Sequence, residues 1–202
     1  MRTISAKEFF ILGMVASQPT GTSGISGTTL NRLMRERNVE EWSRLSFSSV
    51  YYVLNQLEKK ALIKASEASS EEEERSEVGA PRKLYTVTAK GKKVLKKTVK
   101  EYFNSDNLNY QEMNLALAAA HALSDSEFLT ALRSNRKRLE ERLNKVRGKY
   151  DEDRKGFEEE ELPVYVWALF NYAFHSLQAR KAFLDEVIER LEKMENSPKK
   201  YE

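Results

Sequence analysis

The sequence that decides the fold is Ser49-Val50-Tyr51-Tyr52-Val53-Leu54-Asn55-Gln56-Leu57-Glu58, followed by Ala61-Leu62-Ile63-Lys64-Ala65 and later by Arg82-Lys83-Leu84-Tyr85-Thr86-Val87-Thr88. In the first segment the apolar residues recur at the spacing of one helix face, which predicts a helix from about Ser46 to Lys60. The second segment is typical of a short strand, and the third alternates as a strand does. Together they predict a helix that leads into a β-hairpin.

Two helices are predicted before this segment and one basic helix after it. Ser5 to Ser17 begins with a capping pair, Ser5 and Glu8, and a second helix is predicted from about Ser26 to Arg37. Thr88 is placed to cap the helix that follows the hairpin. Three helices, a hairpin and a basic helix are the element order of a winged helix-turn-helix, in which the second helix of the pair enters the major groove of DNA.

The second half of the chain is predicted to be helical throughout. One long helix is predicted from Ser124 to about Tyr150, an acidic break covers 151–161, and Pro163 fits the first turn of a last helix. The predicted fold class is therefore mainly α. An N-terminal winged helix-turn-helix domain with a small β-hairpin wing spans 1–104, and a C-terminal helical dimerisation domain, with a role in effector binding, spans 105–202.

The formal net charge of +3 hides an asymmetry between these halves. Residues 1–104 carry 18 Lys/Arg and 12 Asp/Glu, which gives +6, whereas the remainder carries 16 and 19, which gives −3. A basic half favours a polyanionic partner, although solvated lysine-rich helices have the same composition. The absence of cysteine excludes disulfides, thiolate metal sites and a thiol nucleophile. No apolar run has the length of a membrane span, and we expect a cytoplasmic protein.

Heptad spacing in the last helix has two interpretations. One row would pack inside a single chain, or it would form the interface of a homodimer, which is the interpretation we favour. The residues predicted to form that interface are Phe170, Leu177, Arg180, Leu184 and Leu191. Within such a seam Arg180 would need a carboxylate partner, because an unpaired buried charge is costly, or it would point to solvent.

The chain resembles the PadR family of bacterial transcriptional regulators. The resemblance rests on Phe10-Ile11-Leu12-Gly13-Met14, Ser26-Gly27-Thr28-Thr29-Leu30, the helix 49–58, Ala61-Leu62-Ile63, and Pro81 through Gly91. The segment from Leu162-Pro163 to Leu191-Glu192 is similar to the longer subfamily, whose C-terminal helices dimerise. The resemblance implies a DNA-binding regulator, a backbone contact for Tyr51, and regulation by small aromatic or hydrophobic effectors.

The predicted DNA site combines polar helix residues with cations of the wing. Ser46, Ser48, Ser49 and Tyr52 are expected near base edges, and Asn55 is a second candidate for base contact, farther along the helix. Tyr51 either contacts the DNA backbone or packs at the helix surface. Arg82 and Lys83 are expected to bind phosphates, with Lys64 and Arg75 as weaker candidates; an ordinary solvated hairpin is the alternative.

Aromatic residues crowd one part of the last helix. An effector site would use Tyr165, Trp167, Phe170, Phe174 and His175, but we favour the alternative that these residues fill the core and the dimer interface. The sequence contains no phosphate loop, metal-ligand cluster or acid–base constellation, so we predict no enzyme, no cofactor and no metal site.

The predicted function is a dimeric repressor that binds double-stranded DNA at a pseudo-palindromic operator, with release by a small effector. The alternative is a helical protein–protein adaptor whose winged domain docks a partner through the acidic loop at 71–74.

Overall fold

The structure is a computed structural model that describes residues 4–19, 23–45, 50–67, 83–105, 109–158 and 163–195, without the side chains of 153–158 and 195. It divides into two compact units, Met1–Ser124 and Asp125–Glu202. Among the described residues, no helix is both long enough and apolar enough to span a membrane.

The first unit is a winged helix-turn-helix, as predicted. Its elements, in chain order, are α1 (Ala6–Ala16), β1 (Ile25–Ser26), α2 (Gly27–Glu36), α3 (Val39–Ser43), α4 (Val50–Lys59), β2 (Ile63–Glu67), β3 (Lys83–Val87), α5 (Ala89–Phe103), α6 (Tyr110–Ala118) and a 3-10 turn (Ala120–Ala122). The three strands form one antiparallel sheet in the order β1-β3-β2.

Local signals placed most helix starts correctly. Ser5 and Glu8 form the predicted capping box of α1, Ser26 caps α2, and Thr88 caps α5. A side-chain oxygen at each of these positions accepts a backbone N–H that has no partner within the helix.

Three local features differ from the predictions. Helix α3 was not predicted; it lies between Asn38 and Arg44, which both have left-handed backbone conformations. Strand β1 is too short for alternation to reveal, since it has only two residues. Strand β2 begins at Ile63 rather than at Ala61, because Ala61 has a φ of 55° and ends the turn after α4.

The core of the first unit forms where α4 packs against α1. Val50, Val53, Leu54 and Leu57 of α4 are buried, as their spacing predicted, and Phe9, Ile11 and Leu12 of α1 are fully buried. The ring of Phe9 lies 4.9 Å from the ring of Tyr102 in α5, so the same core holds the helix after the wing. This packing determines which face of α4 remains exposed.

One ion pair joins the start of α1 to the end of α4. The Nζ atom of Lys60 lies 2.6 Å from Oε1 of Glu8, and the other oxygen of Glu8 accepts the backbone N–H of Ser5 at 2.9 Å. Burial opposes ionisation of Glu8, but these hydrogen bonds and the charge of Lys60 outweigh it. The pKa of Glu8 therefore lies below its ordinary value of 4.5.

The wing is joined to α5 through the carbonyl oxygen of Leu62. This oxygen accepts the backbone N–H of Thr88 at 3.0 Å, and the hydroxyl of Thr88 lies 2.8 Å from the carbonyl oxygen of Ala61 and 3.1 Å from that of Leu62. A Cβ atom built on Gly91 would lie only 2.0 Å from the same oxygen. Glycine is therefore required at position 91, because any side chain would displace the backbone that closes the hairpin.

The second unit is an antiparallel pair of long helices, α7 (Asp125–Glu158) and α8 (Val164–Glu195). Leu132 and Leu184 are both fully buried, and Leu139 and Ile188 are nearly so. Salt bridges also join the two helices. Arg133 Nη2 lies 2.7 Å from Glu192 Oε1, and Arg136 Nη1 lies 3.3 Å from Asp185 Oδ1.

The units divide at a later position than the boundary predicted at residue 104. Helix α6 packs against α1, α3 and α5, so residues up to Ser124 belong to the first unit. Residues 151–158 of the predicted acidic break are helical, because α7 continues to Glu158, and residues 159–161 lie outside the described part of the chain. Its charged residues are compatible with a solvated helix, and composition alone did not distinguish this from a loop.

We predict opposite effects from two glycine-to-alanine substitutions. Gly91→Ala should lower the free energy of unfolding by about 2–3 kcal/mol, because the new methyl group would meet the Leu62 carbonyl. Gly148→Ala is the matched control in α7; nothing lies within 4 Å of its Cβ position, so it should raise stability by about 0.5–1 kcal/mol. Urea denaturation followed by circular dichroism measures both, and equal effects would contradict the close approach.

Candidate nucleic-acid interface

Helix α4 presents a polar and aromatic face opposite its buried one. Tyr51 is 50% exposed, Tyr52 is 65% exposed, and Asn55 is exposed one turn farther along. Because α4 is held by its apolar side, these three predicted contact residues share the surface that the first unit leaves open. Tyrosine and asparagine supply hydrogen-bond donors and acceptors suited to base edges and phosphates.

Tyr51 is both exposed and packed. Its hydroxyl lies 3.2 Å from Oγ1 of Thr28 at the start of α2, and its ring covers the Cα of Gly27. This contact agrees with the interpretation that Tyr51 packs at the helix surface, and its contact with DNA stays a prediction. One side of the ring packs against α2, while half of the residue's surface remains accessible.

The two lysines predicted in the wing lie on different faces of the hairpin. Lys64 pairs with Thr86 in the register, and Lys83 pairs with Glu67. Side chains alternate along a strand, so Lys83 shares its face with the buried Tyr85, whereas Lys64 points to the other side. Both lysines are exposed, but a ligand that lies flat against one face of the hairpin would contact only one of them.

Tyr85 is placed behind the exposed face of α4. Burial raises the pKa of its hydroxyl above the ordinary value of 10.0, and the nearby charges of Glu58 and Tyr51 add to this. The side chain therefore stays neutral at physiological pH, as a buried residue of the sheet.

Half of the predicted DNA-binding residues lie outside the described part of the chain. These residues are Ser46, Ser48, Ser49, Arg75 and Arg82. The acidic run at 71–74 lies outside it as well. Two residues that contact Tyr51, Gly27 and Thr28, were not among the predicted site residues. No local sequence signal indicates this contact, because Thr28 and Tyr51 are 23 positions apart in the chain.

In the second unit, the residues predicted to form a dimer interface face the chain's own α7. Leu177 and Leu184 are buried between the two helices, Phe170 and Leu191 are partly buried, and Arg180 donates to Oδ1 of Asn135 at 3.3 Å. This hydrogen bond joins Arg180 to an amide oxygen within the same chain. The arrangement matches the alternative of packing inside one chain.

A different face of α8 carries four exposed apolar side chains. Tyr165, Leu169, Tyr172 and Phe183 are 66%, 66%, 76% and 38% exposed. Their spacings of four, three and eleven residues place them along one line of the helix surface. The heptad positions in the sequence indicated the neighbouring row instead, because both rows contain apolar residues at similar spacing.

The residues predicted to bind an effector are only partly brought together. A cleft of about 280 Å³ between α7 and α8 is lined by Arg147, Tyr150, Asp151, Asn171, Phe174 and His175. It includes Phe174 and His175 of the five predicted residues, while Tyr165, Trp167 and Phe170 are not among its lining. The guanidinium of Arg147 lies 5.5 Å from the centre of the Phe174 ring, close enough for a cation–π contact.

Three solved structures that are similar to the chain share 16–19% identity with it. One is smu.1604c from Streptococcus mutans (19% identity, TM-score 0.37, 90% of this chain and 98% of that one). Bacillus subtilis PadR in complex with operator DNA has 16% identity and a TM-score of 0.39, covering 93% and 99%. The PadR-like regulator BC1756 from Bacillus cereus has 16% identity and a TM-score of 0.36, covering 95% and 99%. No curated protein matches the chain.

The family model of the PadR-like transcriptional regulators matches residues 22–97. This range extends from the strand before α2 through most of α5, and so contains the helix pair, the sheet and the exposed face of α4. The winged helix-turn-helix part of the chain is therefore similar to the PadR-like transcriptional regulators.

Proposed function

We propose that this protein is a dimeric repressor that binds a specific, pseudo-palindromic DNA sequence in the cytoplasm. The observation that supports this most directly is the exposed face of α4, where Tyr51, Tyr52 and Asn55 lie together on a helix anchored by its apolar side. In a winged helix-turn-helix, this helix is the one that enters the major groove. An operator occupied in this way blocks transcription without any further activity.

The proposed contacts divide into two kinds. Tyr52, Asn55 and the serines at 46, 48 and 49 would read base edges, and Tyr51 would bind the DNA backbone. Lys64, Arg75, Arg82 and Lys83 of the wing would bind phosphates. Because Lys64 and Lys83 lie on opposite faces of the hairpin, we propose that the wing lies with its edge toward the duplex, so that each lysine reaches a different strand.

Salt dependence tests the role of the wing. Arg82→Ala with Lys83→Ala should weaken binding and should reduce the slope of log affinity against log salt by about 0.9 for each phosphate that the protein no longer neutralises. Fluorescence anisotropy measures this on a labelled duplex enriched from a random library by the wild-type chain. Lys137→Ala, which removes the charge of an exposed lysine in α7, is the control and should leave the slope unchanged. An unchanged slope in the wing variant would contradict phosphate binding there.

The dimer that we propose uses the exposed row of α8. Tyr165, Leu169, Tyr172 and Phe183 are large apolar side chains in one line, and such patches usually mark an interface. A second copy of the chain presents the same row, so a two-fold axis would bring two such rows together. The buried heptad row of Leu177 and Leu184 would then support the interface from within each chain.

Charge introduced into this row should separate the two chains. Leu169→Glu with Tyr172→Glu should change the mass in sedimentation equilibrium from twice 23.4 kDa to 23.4 kDa, because carboxylates would be buried without partners. Gln178→Glu adds a carboxylate to an exposed position on another face of α8 and should leave the dimer intact. A wild-type chain that sediments at 23.4 kDa would refute the dimer.

A small aromatic or hydrophobic effector would bind in the cleft beside Phe174 and His175. Its aromatic ring would pack against Phe174, and Arg147 and His175 would orient a polar group. Adding such compounds to the protein–DNA complex should lower anisotropy if they release DNA, and His175→Ala should abolish that release while leaving DNA affinity unchanged. Release that persists in His175→Ala would place the effector elsewhere.

The alternative function is a protein–protein adaptor that docks a partner through the acidic run at 71–74. The match of residues 22–97 to a family of transcriptional regulators favours DNA as the partner. A wild-type chain that enriches no DNA sequence from the library would favour the adaptor instead.

A further inference from the structure

Gly27 and Thr28 at the start of α2 form the surface on which the Tyr51 side chain packs, which we call its seat. A Cβ atom on Gly27 would lie 2.5 Å from Cε1, 3.0 Å from Cζ and 3.1 Å from Cδ1 of that ring. These distances are too short for any side chain, so Tyr51 keeps its position only because residue 27 is glycine. Gly27 itself is buried.

The hydroxyl of Tyr51 is held at the next residue. Oγ1 of Thr28 lies 3.2 Å from Oη of Tyr51, and either hydroxyl is able to donate. If Thr28 donates, the proton of Tyr51 remains available for a second acceptor, such as a phosphate oxygen. Thr28 is exposed, and half of the surface of Tyr51 is accessible, so a ligand is able to approach both groups.

This seat is fixed to the sheet and to the helix cap. Ser26 pairs with Leu84 of β3 and its hydroxyl accepts the backbone N–H of Thr29. The backbone just before Gly27 is therefore held from two sides. A tyrosine docked against it has fewer rotamers to lose when DNA binds, and preorganisation of this kind increases affinity without adding a contact.

We infer that Gly27 and Thr28 are positioning residues that hold Tyr51 in its DNA-binding conformation. The inference rests on the proposed function, because it assigns a role in binding DNA to contacts seen within the protein. Gly27 acts by leaving room for the ring, and Thr28 acts by orienting the hydroxyl toward the phosphate backbone.

A double-mutant cycle tests the role of Thr28. The variants are Thr28→Val, which removes the hydroxyl at constant volume, Tyr51→Phe, and the combination of both. Affinity is measured by anisotropy on the duplex enriched from a random library by the wild-type chain. Each single variant should bind about threefold to tenfold more weakly. The double variant should bind DNA no more weakly than the single variant with the lower affinity, because Thr28 acts only through the hydroxyl of Tyr51.

Conservative rescue separates orientation from general stability. Thr28→Ser retains the hydroxyl and should restore most of the affinity. Thr130→Val removes a threonine hydroxyl that donates to the Ser126 carbonyl in α7, and this matched control should bind as the wild type does. Unfolding temperatures of Thr28→Val and Tyr51→Phe should stay close to that of the wild type, since the hydrogen bond lies at the surface.

Gly27→Ala tests the seat. It should weaken DNA binding by at least about tenfold in the wild-type background, because it displaces Tyr51 from its position. In a Tyr51→Ala background the ring is gone, so the same methyl group should have no further effect on affinity. This second comparison remains decisive if Gly27→Ala alone fails to fold.

The outcomes distinguish this inference from the proposed function. A wild-type chain that binds no duplex would overturn both. A wild-type chain that binds, combined with additive effects in the cycle or full affinity in Thr28→Val, would overturn the inference alone. An effect of Gly27→Ala that persists in the Tyr51→Ala background would also overturn it.

Discussion

The rest of the first unit depends on the carbonyl oxygen of Leu62, which joins the base of the wing to α5. It accepts the backbone N–H of Thr88, whose hydroxyl is shared between the carbonyls of Ala61 and Leu62, so the turn after α4 and the start of α5 are joined across the base of the wing. Gly91 makes that junction possible, because its missing side chain lets α5 approach the carbonyl. The wing is therefore held at its base by hydrogen bonds, and it extends from a position that the core has already determined.

The exposed face of α4 follows from what is buried beneath it. The apolar side of α4 packs against α1, and this leaves Tyr51, Tyr52 and Asn55 outward. Tyr85 of β3 is buried with Tyr51 and Glu58 of α4 nearby, and the ring of Tyr51 lies against Gly27 at the start of α2. The exposed tyrosines are thus supported from behind by a strand, a helix start and a core, which is the arrangement that a binding surface needs to remain rigid.

In the second unit, one apolar row of α8 packs within the chain and another faces outward, although the heptad pattern does not distinguish the two rows. Leu177 and Leu184 are buried in the contact between α7 and α8 of one chain, and another row of large apolar residues stays exposed. A helix with two apolar rows is able to pack on a partner helix and still present a surface. The interface with a second copy, as we propose it, lies beside the intrachain seam and is distinct from it.

The sequence by itself determined the fold class, the caps of α1 and α5, the buried face of α4 and the hairpin, because these depend on local hydrogen bonds and on short spacings. Only the tertiary structure decided which apolar row of α8 packs inside the chain, where Lys64 and Lys83 point, and that Tyr51 rests on Gly27 and Thr28. The reason is physical. These facts depend on strand register and on contacts between residues far apart in the chain, and periodicity carries no information about either.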